Sequence, residues 1–184
     1  MPSPPLRRLL PRFLLTQVVV AAIWNLAQAE EPAQLGPSAD KTGISASIGS
    51  AEDGRLVGGV ELPPRARGML RMKVVGQRGT AFGTRKLVGL VRSVAADLAA
   101  LPGHGGVPLR VGNLSVQGGG PIRWSHSHQA GRDVDLALFA LNDRGRAVAP
   151  DRFLTFDGRG RARHGRRRYS FDTARNWQLV RAFI

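Results

Sequence analysis

The apolar positions of the chain change period several times, and those changes mark its elements. Leu87, Leu90, Val91, Val94, Leu98 and Leu101 recur at helical spacing, so residues 85 to 101 are expected to form an amphipathic helix. Thr84 stands at its N-cap and Pro102-Gly103 ends it. Elsewhere the period shortens. Met69 to Val75 alternates as a short strand, and Val107 to Ser115 reads as a buried strand entering a turn at Gly118-Gly119-Gly120-Pro121. From Asp133 the pattern alternates again, with Asp133 and Asp135 on one face and Val134, Leu136 and Leu138 on the other. Asn142-Asp143-Arg144-Gly145 is a turn. Arg152 to Phe156 reads as the returning strand of a hairpin, stopped by Asp157-Gly158. Together these elements predict an α+β domain, a small and mostly antiparallel sheet with helices packed on it.

Residues 1 to 29 follow a different pattern. Arg7, Arg8 and Arg12 lead into an apolar run from Phe13 to Trp24, and Ala27-Gln28-Ala29 is a small-x-small cleavage site before Glu30. An export signal to the periplasm is expected, and the run is too short to remain as a membrane span after cleavage. Residues 30 to 53 are rich in Ser, Ala, Gly and Pro and read as a flexible linker. Residues 54 to 184 then make one domain, since the 184-residue chain leaves no room for a second. The chain has no cysteine, which excludes a disulfide framework and Cys-rich structural zinc sites.

Charge narrows the partners. The formal net charge is +14, and the signal accounts for three arginines and no acids, leaving 24 basic against 13 acidic residues, or +11. Such an excess concentrates a protein near polyanions. Export disfavours nucleic acid and leaves anionic lipid or an anionic wall polymer. The densest group comprises Arg159, Arg161, Arg163, His164, Arg166, Arg167 and Arg168, spaced by Gly and Ala. It reads as a solvated loop or as an electrostatic handle for an anionic polymer. No aromatic residue interleaves with it, against stacking on single-stranded nucleic acid.

The candidate chemistry lies between Trp124 and Phe139, WSHSHQAGRDVDLALF. A zinc site uses a neutral imidazole nitrogen and a carboxylate oxygen, commonly with a further His and an open position. His128 and Asp135 are seven residues apart, with Gly131 between them to permit a tight turn. Asp133, on the face of Asp135, is placed to orient a ligand or a substrate amide.

The run Ser127-His128-Gln129-x-Gly131-x-Asp133-Val134-Asp135 resembles the SHQxGxDVD signature of the penicillin-insensitive murein endopeptidases, zinc enzymes of the lysostaphin and D-Ala-D-Ala metallopeptidase superfamily. Arg55 to Leu62, Gly79-Thr80-Ala81-Phe82-Gly83-Thr84, Gly112 to Ser115 and the segment from Phe171 onward are similar to other stretches of that family. The resemblance implies a hedgehog/D-Ala-D-Ala-peptidase-like fold. It implies Zn2+ held by His128, Asp135 and a third ligand from a downstream HxH whose first His is the base. The implied activity is hydrolysis of D-alanyl to meso-diaminopimelyl cross-links in peptidoglycan. Ser127, Gln129, Asp133, Asn113, Ser115 and His126 are the residues expected to support the ligands or contact substrate. Asp172 is expected to cap a final helix with Trp177, Val180 and Phe183 or Ile184 buried.

The chain also departs from the pattern. It has no HxH after Asp135, and Ser125 stands where the family often has a His, with His126 one residue out of register. The apolar ending Ala182-Phe183-Ile184 lacks a C-cap glycine and reads as truncation. On that reading residues 54 to 184 are the N-terminal portion of the domain, without a catalytic base and with the apolar face of the 85 to 101 helix uncovered. Two other classes stay open. One is a non-catalytic cationic wall-binding module that keeps the fold; the other is a basic structural protein in which His128 and Asp135 are incidental.

Overall fold

A computed structural model describes residues 44 to 184. The expected export signal and the expected linker as far as residue 43 lie outside the described residues. The last part of that expected linker is ordered chain: β1 (Ala46–Gly49) and β2 (Gly54–Val57) form an antiparallel hairpin. Ser50 closes its turn by accepting the Asp53 N–H at its hydroxyl, so a Ser-rich composition encodes a turn here.

Three further strand groups follow in place of the one sheet expected. β3 (Val60–Glu61) pairs with β6 (Phe82–Gly83). β4 (Arg65–Ala66), β5 (Met69–Arg71) and β7 (Leu109–Val111) make three strands, with β5 and β7 parallel. β8 (Ala140–Asn142), β9 (Ala147–Val148), β10 (Arg161–His164) and β11 (Arg167–Phe171) form an antiparallel sheet of order β10-β11-β8-β9. The strand expected over residues 69 to 75 ends at Arg71, and α1 (Lys73–Arg78) begins two residues later.

α2 (Arg85–Ala100) matches the helical spacing and is capped by Thr84 Oγ1, which accepts the Leu87 N–H at 3.2 Å. Its apolar face is covered. Leu87, Val91, Val94 and Leu98 are buried with Leu62, Met69, Val111, Leu114, Val134, Leu136 and Leu179 in the main core, so the expected exposure of this face does not occur. Burial of side chains this size stabilises by roughly 1.5–3 kcal/mol each. Gly68 lies where α2 comes closest: its φ is +70°, and a Cβ there would sit 2.0 Å from the Ala95 carbonyl oxygen.

Two expectations fail toward the C-terminal end. Residues 152 to 155 lie in no strand and Phe156 makes only a single bridge, because the chain just before them is tied elsewhere. Asp151 accepts the Lys73 N–H at 3.2 Å and lies 3.6 Å from Arg110, whose Nε donates to the Ala149 carbonyl. The arginine run instead supplies β10 and β11 and their turn, so it is a hairpin with outward guanidinium groups rather than a loop. α3 (Thr173–Phe183) starts at Asp172, whose carboxylate accepts the Arg175 N–H. Trp177, however, is 59% exposed and Ile184 is exposed, while Asn176 and Leu179 face inward. The reason is polar: Asn176 accepts the Phe139 N–H at 2.8 Å and donates to the Phe139 carbonyl at 2.9 Å. One residue further along a helix is rotated about 100° away. No described helix is long and apolar enough to cross a membrane.

Candidate active site

The segment from Ser127 to Leu136 runs between the glycine turn and the core, and its backbone is fixed from both sides. Gly131 N–H donates to Ser115 Oγ at 2.8 Å, and the Gly131 carbonyl accepts Thr84 N–H at 2.9 Å. Gln129 N–H donates to the Ala51 carbonyl, and the Gln129 carbonyl accepts Gly120 N–H. Gly119, φ +74°, passes so close that a Cβ would lie 2.2 Å from the Gln129 carbonyl oxygen. The triple glycine is therefore packed beneath the signature. His128 has φ +71° and is the only described non-glycine residue with positive φ. Such a conformation costs on the order of 1–3 kcal/mol and persists where surroundings over-determine it. Here Asp133 accepts the His128 N–H at 2.9 Å and holds the turn.

That turn aims the imidazole at Asp135. His128 Nε2 lies 3.2 Å from Asp135 Oδ1, and both side chains are nearly buried. Asp135 arrives on an extended segment whose Val134 and Leu136 enter the main core, while Leu138 packs only partly, in a separate cluster. Asn113 Nδ2 donates to the other oxygen, Asp135 Oδ2, at 3.1 Å, and Thr80 Oγ1 donates to Asn113 Oδ1 at 2.8 Å. Burial, the largest single influence, lowers the His128 pKa; the hydrogen bond and charge of Asp135, with Asp133 behind, outweigh it and raise the group above 6.5. For Asp135 burial raises the pKa, and the His128 and Asn113 contacts outweigh it, leaving the carboxyl below 3.8.

The pair forms the floor of a cleft of about 380 Å³, lined also by Arg78, Asn113, Trp124, Ser125, Ser127 and Phe153. Of the sequence candidates, Asn113 and Ser127 join His128 and Asp135 there. Ser115 is wholly buried and supports Gly131, Gln129 is buried against the His126 carbonyl, and Asp133 acts on the His128 backbone. His126 is exposed and does not line the cleft. Arg78, Thr80, Trp124 and Phe153 were not anticipated. Trp124 opens the signature stretch and Arg78-Gly79-Thr80 flanks a family-like run, so proximity to motifs was the available signal.

The donor set can be tested against zinc by distance alone. Two ligands on bonds of about 2.0–2.1 Å at a tetrahedral angle sit about 3.3 Å apart. Nε2 and Oδ1, at 3.2 Å, match two corners of such a site. Among the described residues His128 Nδ1 is buried without a hydrogen-bond partner, so none of them fixes its tautomer. Among the described residues, no third His, Cys, Asp or Glu completes a metal-holding group.

A buried imidazole in a left-handed turn, coupled to a buried carboxylate at the base of an open polar cleft, marks a candidate functional site. A family profile described as penicillin-insensitive murein endopeptidase matches residues 47 to 153. The chain belongs to that family. The match takes in β1 from Ser47 onward, the glycine turn, the whole signature and Phe153. A search of curated proteins found no significant match.

Proposed function

We propose that this protein is a zinc-dependent endopeptidase of the periplasm that hydrolyses D-alanyl to meso-diaminopimelyl cross-links in peptidoglycan. The observation that carries the reading is the 3.2 Å approach of His128 Nε2 to Asp135 Oδ1 at the floor of the cleft. His128 and Asp135 would hold two positions of the metal, and zinc supplies Lewis acidity toward a scissile carbonyl. The rest is done by the chain. Asn113 keeps Asp135 from rotating, Asp133 keeps His128 in its strained turn, and Trp124 and Phe153 bracket the cleft for an extended peptide. A hedgehog/D-Ala-D-Ala-peptidase-like fold belongs to the same proposal.

The test is calorimetric titration of the metal-free chain with zinc, alongside digestion of purified sacculi. Zinc is expected to bind at one site, and His128→Ala or Asp135→Ala to weaken it by at least about tenfold, the scale on which zinc-site changes act. Zinc affinity unchanged in both variants would refute the assignment. A second reading rests on the absence of a third ligand among the described residues: a wall-binding module without hydrolysis. Retention on sacculi with no soluble muropeptide released, zinc present, would select it.

A further inference from the structure

The cleft has one cation in its wall, and the proposed chemistry gives it no task. Arg78 ends α1, and Gly79, at φ +68°, turns the chain away behind it. Its guanidinium carbon sits 4.5 Å from the centre of the Trp124 ring. A cation in the last turn suits the helix dipole, but that interaction leaves all five N–H groups unassigned. Arg78 makes no ion pair with any described carboxylate, whereas Arg71, Arg110 and Arg175 each have one. The contact with Trp124 gives the guanidinium a defined place in the cleft wall. A planar fork of N–H donors is matched to a carboxylate, which it can bind bidentately. Phe153 and Trp124 line the same cleft, and apolar neighbours strengthen such a pair by lowering the local dielectric.

We propose that Arg78, stacked on Trp124, is a specificity-determining residue that binds a free carboxylate on the substrate, next to the scissile amide. This rests on the murein reading. In the cross-link proposed above, the diaminopimelyl carbon that carries the amide nitrogen also bears a free carboxylate. His128 and Asp135 on the floor and Arg78 on the wall of one cleft give the scissile bond and that carboxylate separate places. A substrate with this group amidated keeps its shape and loses the charge.

The experiment is a thermodynamic cycle on the 184-residue chain. A cross-linked muropeptide dimer is titrated by calorimetry in its acid form and with the diaminopimelyl carboxylate amidated, without metal so that nothing is cleaved. Wild type is expected to bind the acid form about 10- to 100-fold more tightly, the usual range for a charged hydrogen bond. Arg78→Ala should bind both forms at the weaker level, Arg78→Lys should fall between, and Trp124→Leu should lose part of the preference. Circular dichroism of each variant checks folding, and Arg78→Lys carries the test should Arg78→Ala unfold. Equal binding of acid and amide by wild type, or an acid preference that survives Arg78→Ala, overturns this inference and leaves the murein reading standing. Binding of neither form overturns both.

Discussion

At the scale of single residues, the site is an electrostatic couple held in a costly backbone conformation. In the metal-free chain the His128 pKa lies above 6.5 and that of Asp135 below 3.8, because their mutual contact outweighs burial. The signs give a window. A raised His contributes its stabilisation in full below its unfolded value and loses it as pH rises through the higher folded value. A depressed Asp contributes above its unfolded value and loses it as pH falls through the lower folded one. The pair therefore stabilises most between 3.8 and 6.5 and less on either side. Thermal melts in chelator taken from within that window to well above 6.5 should show the alkaline decline, and Asp135→Asn should flatten it. An identical pH profile for the variant would remove the couple from the account. The His128 φ of +71° could not be read from sequence, since it depends on Asp133 and on Ala51, which meet this turn only in the fold.

At the scale of elements, legibility followed the kind of force involved. α2 was legible because one apolar stripe decides its seating, and its N-cap because Thr84 acts locally. The His128 and Asp135 pairing was legible because the chemistry is concentrated within nine residues. The seating of α3 was not, since two backbone groups of Phe139, 37 residues away, place Asn176 inward and so rotate Trp177 to solvent. The hairpin of β1 and β2 was missed because Leu56 alone among its side chains is buried, so no alternating apolar pattern marks it, and its ladder is made by the backbone. Asn176 gives the sharpest prediction at this scale. Asn176→Ala would leave the buried Phe139 N–H and carbonyl without that partner, at about 1–3 kcal/mol for each group so stranded. Asn176→Leu should fare no better despite its added apolar surface, whereas Trp177→Ser should be nearly neutral. Urea denaturation of the three variants checks the order. A stabilised Asn176→Leu would mean that apolar packing, not the amide, seats the helix.

At the scale of the whole molecule, the surplus charge has a location. Beside the β8–β9 turn, where Asn142 pairs with Tyr169 of β11, lies a recess of about 700 Å³. It is lined by Arg144 and Arg146 from the β8–β9 connection and by Arg166, Arg167 and Arg168 from the β10–β11 turn and the start of β11, with Asp143 as the only acid among its lining residues. None of the five arginines has an ion pair among the described residues. Guanidinium groups gathered by two separate hairpins repel one another, and a wall polymer carrying repeated anionic groups would relieve that repulsion while holding the cleft near its substrate. Exposed charges of this kind are screened within about 10 Å at 0.1 M salt and about 3 Å at 1 M. Retention on sacculi should therefore fall steeply between those concentrations. Replacing Arg166, Arg167 and Arg168 by Ala should weaken retention at low salt and make it less salt-dependent, with folding stability changed by no more than about 0.5 kcal/mol per site, as expected for exposed positions. Arg78→Ala should leave the salt dependence close to that of wild type, because its carboxylate is met inside the cleft and away from the recess. Retention indifferent to salt, or a triple variant that binds as wild type does, would separate the recess from wall binding and leave the net charge without a task there.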